Sequence, residues 1–231
     1  MKIVCVGYRR WALKIYKKLV KNYTHEILVV NKKSKFNVED IIKFKPDLIL
    51  FYGWSWKISS KLIENYKCIM LHPSPLPKYR GGSPIQNQII NGETTSKVTL
   101  FIMDDGMDTG DIIAQEDISF EGSLKDIFKR IVKIGYRLTK SILDNQIVPI
   151  VQNNSDATTF KRRHPKESEI FIQETTKNDS LEYIYNKIRM LDGENYPKSY
   201  INYGDIRIEF SRTSKKNDHI VAIAKIFKLP K

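Results

Sequence analysis

The chain has 231 residues, 41% hydrophobic and 11% aromatic, enough for one large core or a medium one with an appendage. A formal net charge of +13 fits either an ordinary solvated surface or an anionic partner, whether nucleic acid, anionic lipid or a phosphorylated small molecule, and does not choose among them. Cys5 and Cys68 have no second cysteine or histidine at ligand spacing, which excludes a disulfide scaffold and a cysteine-based metal site, and no apolar run is long enough for a signal peptide or a membrane span.

In chain order, residues 3–6 form a continuous β-branched run, the pattern of a strand buried on both faces, ended by Gly7. Apolar positions 11, 12, 15, 19 and 20 with lysines between them predict a helix. "HEILVVN" (25–31) predicts a second strand. The next stretch predicts a helix over 38–44, a stop at Pro46 and a strand over 48–52. A Ser-capped helix over 59–66 and a strand over 68–72 follow. This alternation predicts an α/β fold with a doubly wound, mostly parallel sheet, a Rossmann-like core.

Beyond it come a helix over 83–93, strands over 96–105 and 110–120, and a long amphipathic helix over 123–143. Periodicity lapses in the polar stretch that follows. The core is therefore bounded at residues 1–160, and a small α+β appendage occupies 161–231. The appendage carries a helix over 180–193, two strands within 199–212 turning at Gly204-Asp205, and a last strand over 219–227.

Ligands of open α/β sheets bind beyond the carboxyl ends of the strands. Tyr52-Gly53-Trp54, His72 and the 104–108 segment all fall there. A lone histidine is a satisfied structural residue about as often as a functional one. With no P-loop, no dinucleotide fingerprint and no nucleophile elbow, the residues suit general acid–base chemistry by His72 beside a carboxylate rather than covalent catalysis. Trp54 and Trp56 also fit a core or an oligomer surface, though less well than a site. Arg162 and Arg163 fit a solvated charge run, and Arg189 fits either reading.

"LHPSPLPKYRGGSPI" and "MDDGMDTGDIIAQ" resemble the two signatures of the folate-dependent formyltransferases, with His72 and Asp108 separated by the family's 36 residues. The resemblance implies N10-formyltetrahydrofolate as co-substrate and His72 with Asp108 as the catalytic pair, while the scattered histidines and the lack of any cluster at ligand spacing lead us to expect no metal. It implies a folate site at Phe51, Tyr52, Gly53, Met70, Met103, Asp104, Gly106 and Asp108. Met70 stands where the family has an asparagine that helps hold the oxyanion.

"GYRRWALKI" and "YGWSWKI" look most like the sugar N-formyltransferases of surface polysaccharide (O-antigen, lipopolysaccharide) synthesis. The implied substrate is a dTDP-linked 4-amino-4,6-dideoxyglucose, held by Trp54, Pro77, Lys78, Tyr79, Arg80, Gly82 and Tyr196. Two or three strands after the boundary are fewer than the five of a closed barrel, which turns the reading away from RNA. The two cysteines read as reduced core thiols and, with no signal or membrane run, as those of a cytoplasmic protein with no membrane partner, whereas a homodimer is implied by the resemblance alone. The alternatives are a formyltransferase acting on methionyl-tRNA or on a purine intermediate, and a nucleic-acid-binding module that has lost catalysis.

Overall fold

Strand β1 (Lys2–Val6) is buried over its last four residues, as its unbroken apolar run requires. In the computed structural model, residues 1–146, 148–171 and 181–229 are described. Strands β2 (Glu26–Val30), β3 (Leu48–Tyr52) and β4 (Cys68–His72) alternate with helices α1 (Arg10–Asn22), α2 (Val38–Phe44) and α3 (Ser60–Asn65). A two-residue strand β5 (Arg80–Gly81), helix α4 (Pro84–Ile90), strands β6 (Thr95–Ile102) and β7 (Ile112–Ser119) and helix α5 (Leu124–Asp144) follow. Then come a two-residue strand β8 (Thr159–Phe160), helix α6 (Leu181–Arg189) and strands β9 (Ser199–Tyr203), β10 (Ile206–Lys215) and β11 (Ile220–Lys228).

The main sheet has the order β2-β1-β3-β4-β6-β7. Strands β2, β1, β3 and β4 pair in parallel, and β6 runs antiparallel to β4. This is the mixed, mostly parallel α/β sheet that the alternation of elements predicts. The chain folds as two compact units. The first comprises Met1–Gly81, Ser96–Ile118 and Phe128–Thr159. The second comprises Gly82–Thr95, Ser119–Ile127 and the described part of Phe160–Lys231.

In the first unit, Trp11, Ala12, Ile15, Tyr16 and Leu19 make the buried face of α1. Tyr16 stacks on Tyr52, whose hydroxyl bonds that of Thr139 in α5. The opposite sheet face is a cluster of Val4, Val6, Ile49, Phe51, Trp54 and Cys68, with Met70 and Met103 packed against it. The Asn37 side chain caps α2 by accepting from the N–H groups of Glu39 and Asp40. Ser59 precedes α3 without a side-chain cap bond, so the expected Ser cap is not made there.

In the second unit, β11-β10-β9 form a three-stranded sheet on which α6 packs through β10. Arg189 is a structural staple here. It is buried and donates to the Asn186 side chain and to the carbonyls of Phe120 and Gly122. Residue 180 of the expected helix lies outside the described residues. Among the described residues no helix is long and apolar enough to cross a membrane.

Both cysteines are buried and unpaired. Burial pushes the Cys68 thiol up to about 12 and raises Cys5 further still. Thiolate is the reactive form, so an aromatic disulfide reagent at about pH 8 should titrate neither thiol in the native chain and both after denaturation. Rapid native labelling would show that one of them is accessible.

Candidate active site

His72 ends β4 at the carboxyl edge of the sheet and is buried. Its Nε2 lies 2.8 Å from the carbonyl oxygen of Tyr79. A carbonyl only accepts, so Nε2 carries the hydrogen and Nδ1 is the nitrogen left to exchange a proton. Nδ1 faces Asp108 Oδ2 at 3.6 Å, with the two side chains 6% and 12% exposed. In so dry a place the carboxylate acts on the imidazole more strongly than it would in water.

The loop after β4 is pinned at almost every polar group. The Ser74 carbonyl accepts from Thr99 Oγ1 at 2.6 Å, and Ser74 Oγ donates to the Lys78 carbonyl. The Gln115 amide donates to the carbonyl of Leu76. Thr158 takes the Tyr79 N–H on its hydroxyl and the Arg80 N–H on its carbonyl. Tyr79 adopts φ +59°, a left-handed conformation that a non-glycine residue holds at a cost of about 1–2 kcal/mol. The surrounding bonds hold it there.

Asp108 has φ +56°. Its Oδ2 also accepts the Gly81 N–H at 2.8 Å, and its carbonyl accepts from Gln152 Nε2. The turn before it is built locally: Asp104 Oδ1 accepts from the Gly106 N–H and the Thr109 hydroxyl. Gly110 ends the turn because a Cβ there would lie 1.8 Å from the Ile102 carbonyl oxygen.

The structure brings together His72, Asp108, Tyr79 and Arg80, all expected from the sequence, but it gives Arg80 a different task. Arg80 is buried, and its guanidinium is spent on Gln152 Oε1 and Asn154 Oδ1. Lys78 is exposed and Pro77 half-buried on the same loop. Tyr52 turns its ring to the α1 and α5 side, whereas Phe51, Trp54, Met70 and Met103 share the other face. Gly53 has φ +61° beside Arg9 and Trp11. Gly82 and Tyr196 belong to the second unit. Gly82 packs there against the Arg162 backbone, and the Tyr196 N–H bonds the Gly193 carbonyl.

Sequence reasoning missed Gln152. Its buried amide accepts from Arg80 and donates to the carbonyls of Asp108 and Gly110. It stands in the stretch where periodicity lapses, 44 residues from Asp108, and no local signal marks it. Among the described residues no group of three or more His, Cys, Asp or Glu side chains could hold a metal ion.

A buried histidine, turned by a backbone carbonyl and faced by a carboxylate at the rim of an α/β sheet, is an arrangement suited to acid–base chemistry. A profile described as Formyl transferase matches residues 2–143, and one described as Methionyl-tRNA formyltransferase, C-terminal domain, matches residues 165–227. The chain belongs to the formyl transferase family.

Methionyl-tRNA formyltransferase of Syntrophomonas wolfei is 31% identical over 206 residues, which are 85% of this chain and 64% of that protein. The Nitratiruptor enzyme of the same name is 34% identical over 68% of this chain and 51% of its own length. The chain thus spans less than two thirds of these relatives. A solved structure of methionyl-tRNA formyltransferase from Clostridium thermocellum is 37% identical, with a TM-score of 0.90 over 99% of both chains. A sugar 3N-formyl transferase solved with dTDP is 21% identical with a TM-score of 0.64, a likeness of fold alone.

These matches overturn the dTDP-sugar reading, and with it the surface-polysaccharide role and the exclusion of nucleic acid. The strand count misled. The C-terminal profile matches a segment whose sheet has three strands among the described residues, so a short sheet does not discriminate against that domain. The basic loop also offers an outside anion fewer donors than its sequence suggests, because the buried Arg80 spends its guanidinium on Gln152 and Asn154.

Proposed function

We propose that this chain moves a formyl group from formyltetrahydrofolate to the α-amino group of methionyl-tRNA. The acceptor rests on one observation above the others, the match of residues 165–227 to the methionyl-tRNA formyltransferase C-terminal domain. The charge of +13 suits a polyanionic partner of this kind. On this reading residues 1–160 carry the chemistry and residues 161–231 help to hold the acceptor. Reduced thiols and a tRNA acceptor go with a cytoplasmic setting.

Met70, Met103 and Trp54 make a largely apolar wall on the His72 side of the sheet, and such a wall fits a flat heteroaromatic group. Bound there, formyltetrahydrofolate supplies the activated formyl carbon. Gly53 and the Asp104–Gly106 turn shape the edge of this site. Met70 has no hydrogen to donate to a developing oxyanion.

His72 Nδ1 takes the proton from the neutral amine as it adds to the formyl carbon, with Nε2 still bonded to Tyr79, and returns that proton to N10 as the formyl–N10 bond breaks and tetrahydrofolate leaves. Asp108, 3.6 Å from Nδ1, places a carboxylate beside the nitrogen that receives the proton. Arg80 is a positioning residue, holding through Gln152 the turn that carries Asp108. Exposed Lys78 is free to meet an acceptor phosphate.

The test is formyl transfer from N10-formyltetrahydrofolate to methionyl-tRNA, with deacylated tRNA as the control that has no amine. Asp108→Asn keeps an oxygen for the Gly81 N–H and removes the charge. Turnover should fall by about 10–10²-fold, the worth of one charge-assisted interaction. Absence of formylmethionyl-tRNA with the wild-type chain would end the proposal.

A further inference from the structure

Far along the chain from the catalytic residues, the second unit holds a cavity of about 260 Å3 between two prolines, lined by Lys166, Lys198, Tyr200, Arg207 and Glu209. Arg207 lies flat on the ring of Tyr200, its guanidinium carbon 3.9 Å from the ring centroid. Its Nε donates to Asn202 Oδ1, the residue opposite it in the β9–β10 register. Asn202 donates in turn to Glu169 Oε1, and the Tyr200 hydroxyl donates to Glu169 Oε2. One carboxylate thus anchors both supports of the guanidinium.

The guanidinium itself has no carboxylate partner among the described residues, and its two terminal amines make no hydrogen bond there. A cation held this firmly by neutral groups, with its fork unused, is arranged for an anion from outside. Lys166 is exposed and makes no ion pair among the described residues. Lys198 is tied to Asp192 at 2.7 Å. Glu209 is the opposing charge.

We propose that this cavity binds a phosphoryl group, with the Arg207 fork taking two oxygens and Lys166 a third. A planar guanidinium matches a pair of phosphate oxygens, and a tetrahedral anion has further oxygens for a second cation. Stacking on Tyr200 removes most of the ordering cost of the side chain before the ligand arrives. The site lies wholly within the second unit and does not depend on the acceptor proposed above.

The test is calorimetric titration of the whole chain with two probes at matched ionic strength. One is inorganic pyrophosphate. The other is a single-stranded RNA of about 12 nucleotides with hydroxyls at both ends. Acetate is the reference anion. Arg207→Lys keeps the charge and loses the fork, and should weaken phosphoryl binding about tenfold. Lys166→Ala, an exposed change that leaves the fold intact, should weaken it severalfold. Glu209→Gln should tighten it about fivefold, because a like charge leaves the cavity.

RNA bound in competition with pyrophosphate identifies a nucleic-acid backbone as the source. Pyrophosphate bound without RNA identifies a free phosphate ligand. The proposal is overturned if acetate binds as well as pyrophosphate, or if all three variants bind both probes as the wild type does.

Discussion

His72→Asn should bind folate and methionyl-tRNA as the wild type does and turn over about 10²–10⁴-fold more slowly, the usual worth of a general base. Asparagine's amide ends near the place of Nδ1 and falls short of the Tyr79 carbonyl, so His72→Gln, whose amide reaches the place of Nε2, is the companion variant that keeps the loop anchored. What disappears is the basic nitrogen facing Asp108. The loss therefore belongs in the catalytic constant and not in substrate affinity. Single-turnover formyl transfer at saturating methionyl-tRNA separates the two. A variant that completes the transfer at the wild-type rate would remove His72 from the chemistry, whatever its geometry.

Tyr16→Phe should lower the stability of the chain by about 3 kcal/mol. The Tyr16 hydroxyl is fully buried among three backbone groups: it lies 2.9 Å from the carbonyls of Val6 and Leu50 and accepts the Tyr52 N–H at 2.8 Å. Its single hydrogen is shared between the two carbonyls. Phenylalanine fills the same space and leaves a buried N–H and at least one carbonyl without a partner, at about 1–3 kcal/mol each.

Burial holds the Tyr16 phenol well above its ordinary value of 10.0. A folded-state value raised in this way means that the contribution is complete below about pH 10 and drains away as pH rises beyond it. Denaturant unfolding near neutral pH measures the effect. Tyr23→Phe is the control, since that hydroxyl bonds Asp144 on the surface and should cost less than about 1 kcal/mol. Equal losses for the two variants would show that the buried hydroxyl is not what joins β1 to β3.

The sequence alone determined the elements around the site, because each carries its own period. Strand β3, β1 after Lys2 and β4 before His72 lie in the middle of the sheet and so are apolar runs. Helix α1 shows one buried face and lysines elsewhere. His72 and Asp108 were legible because they stand at fixed places, one at a strand end and one within a turn of glycines and aspartates.

The rest depends on contacts between residues far apart in the chain. Arg80 reads as a cation awaiting phosphate until Gln152 and Asn154 are seen to enclose it, and Arg207 reads as surface charge until Tyr200 lies beneath it. Residue type states what a side chain is able to bond. Only the tertiary structure decides which of those bonds the protein has already made, because a polar group taken out of water must find its partner wherever the fold brings one.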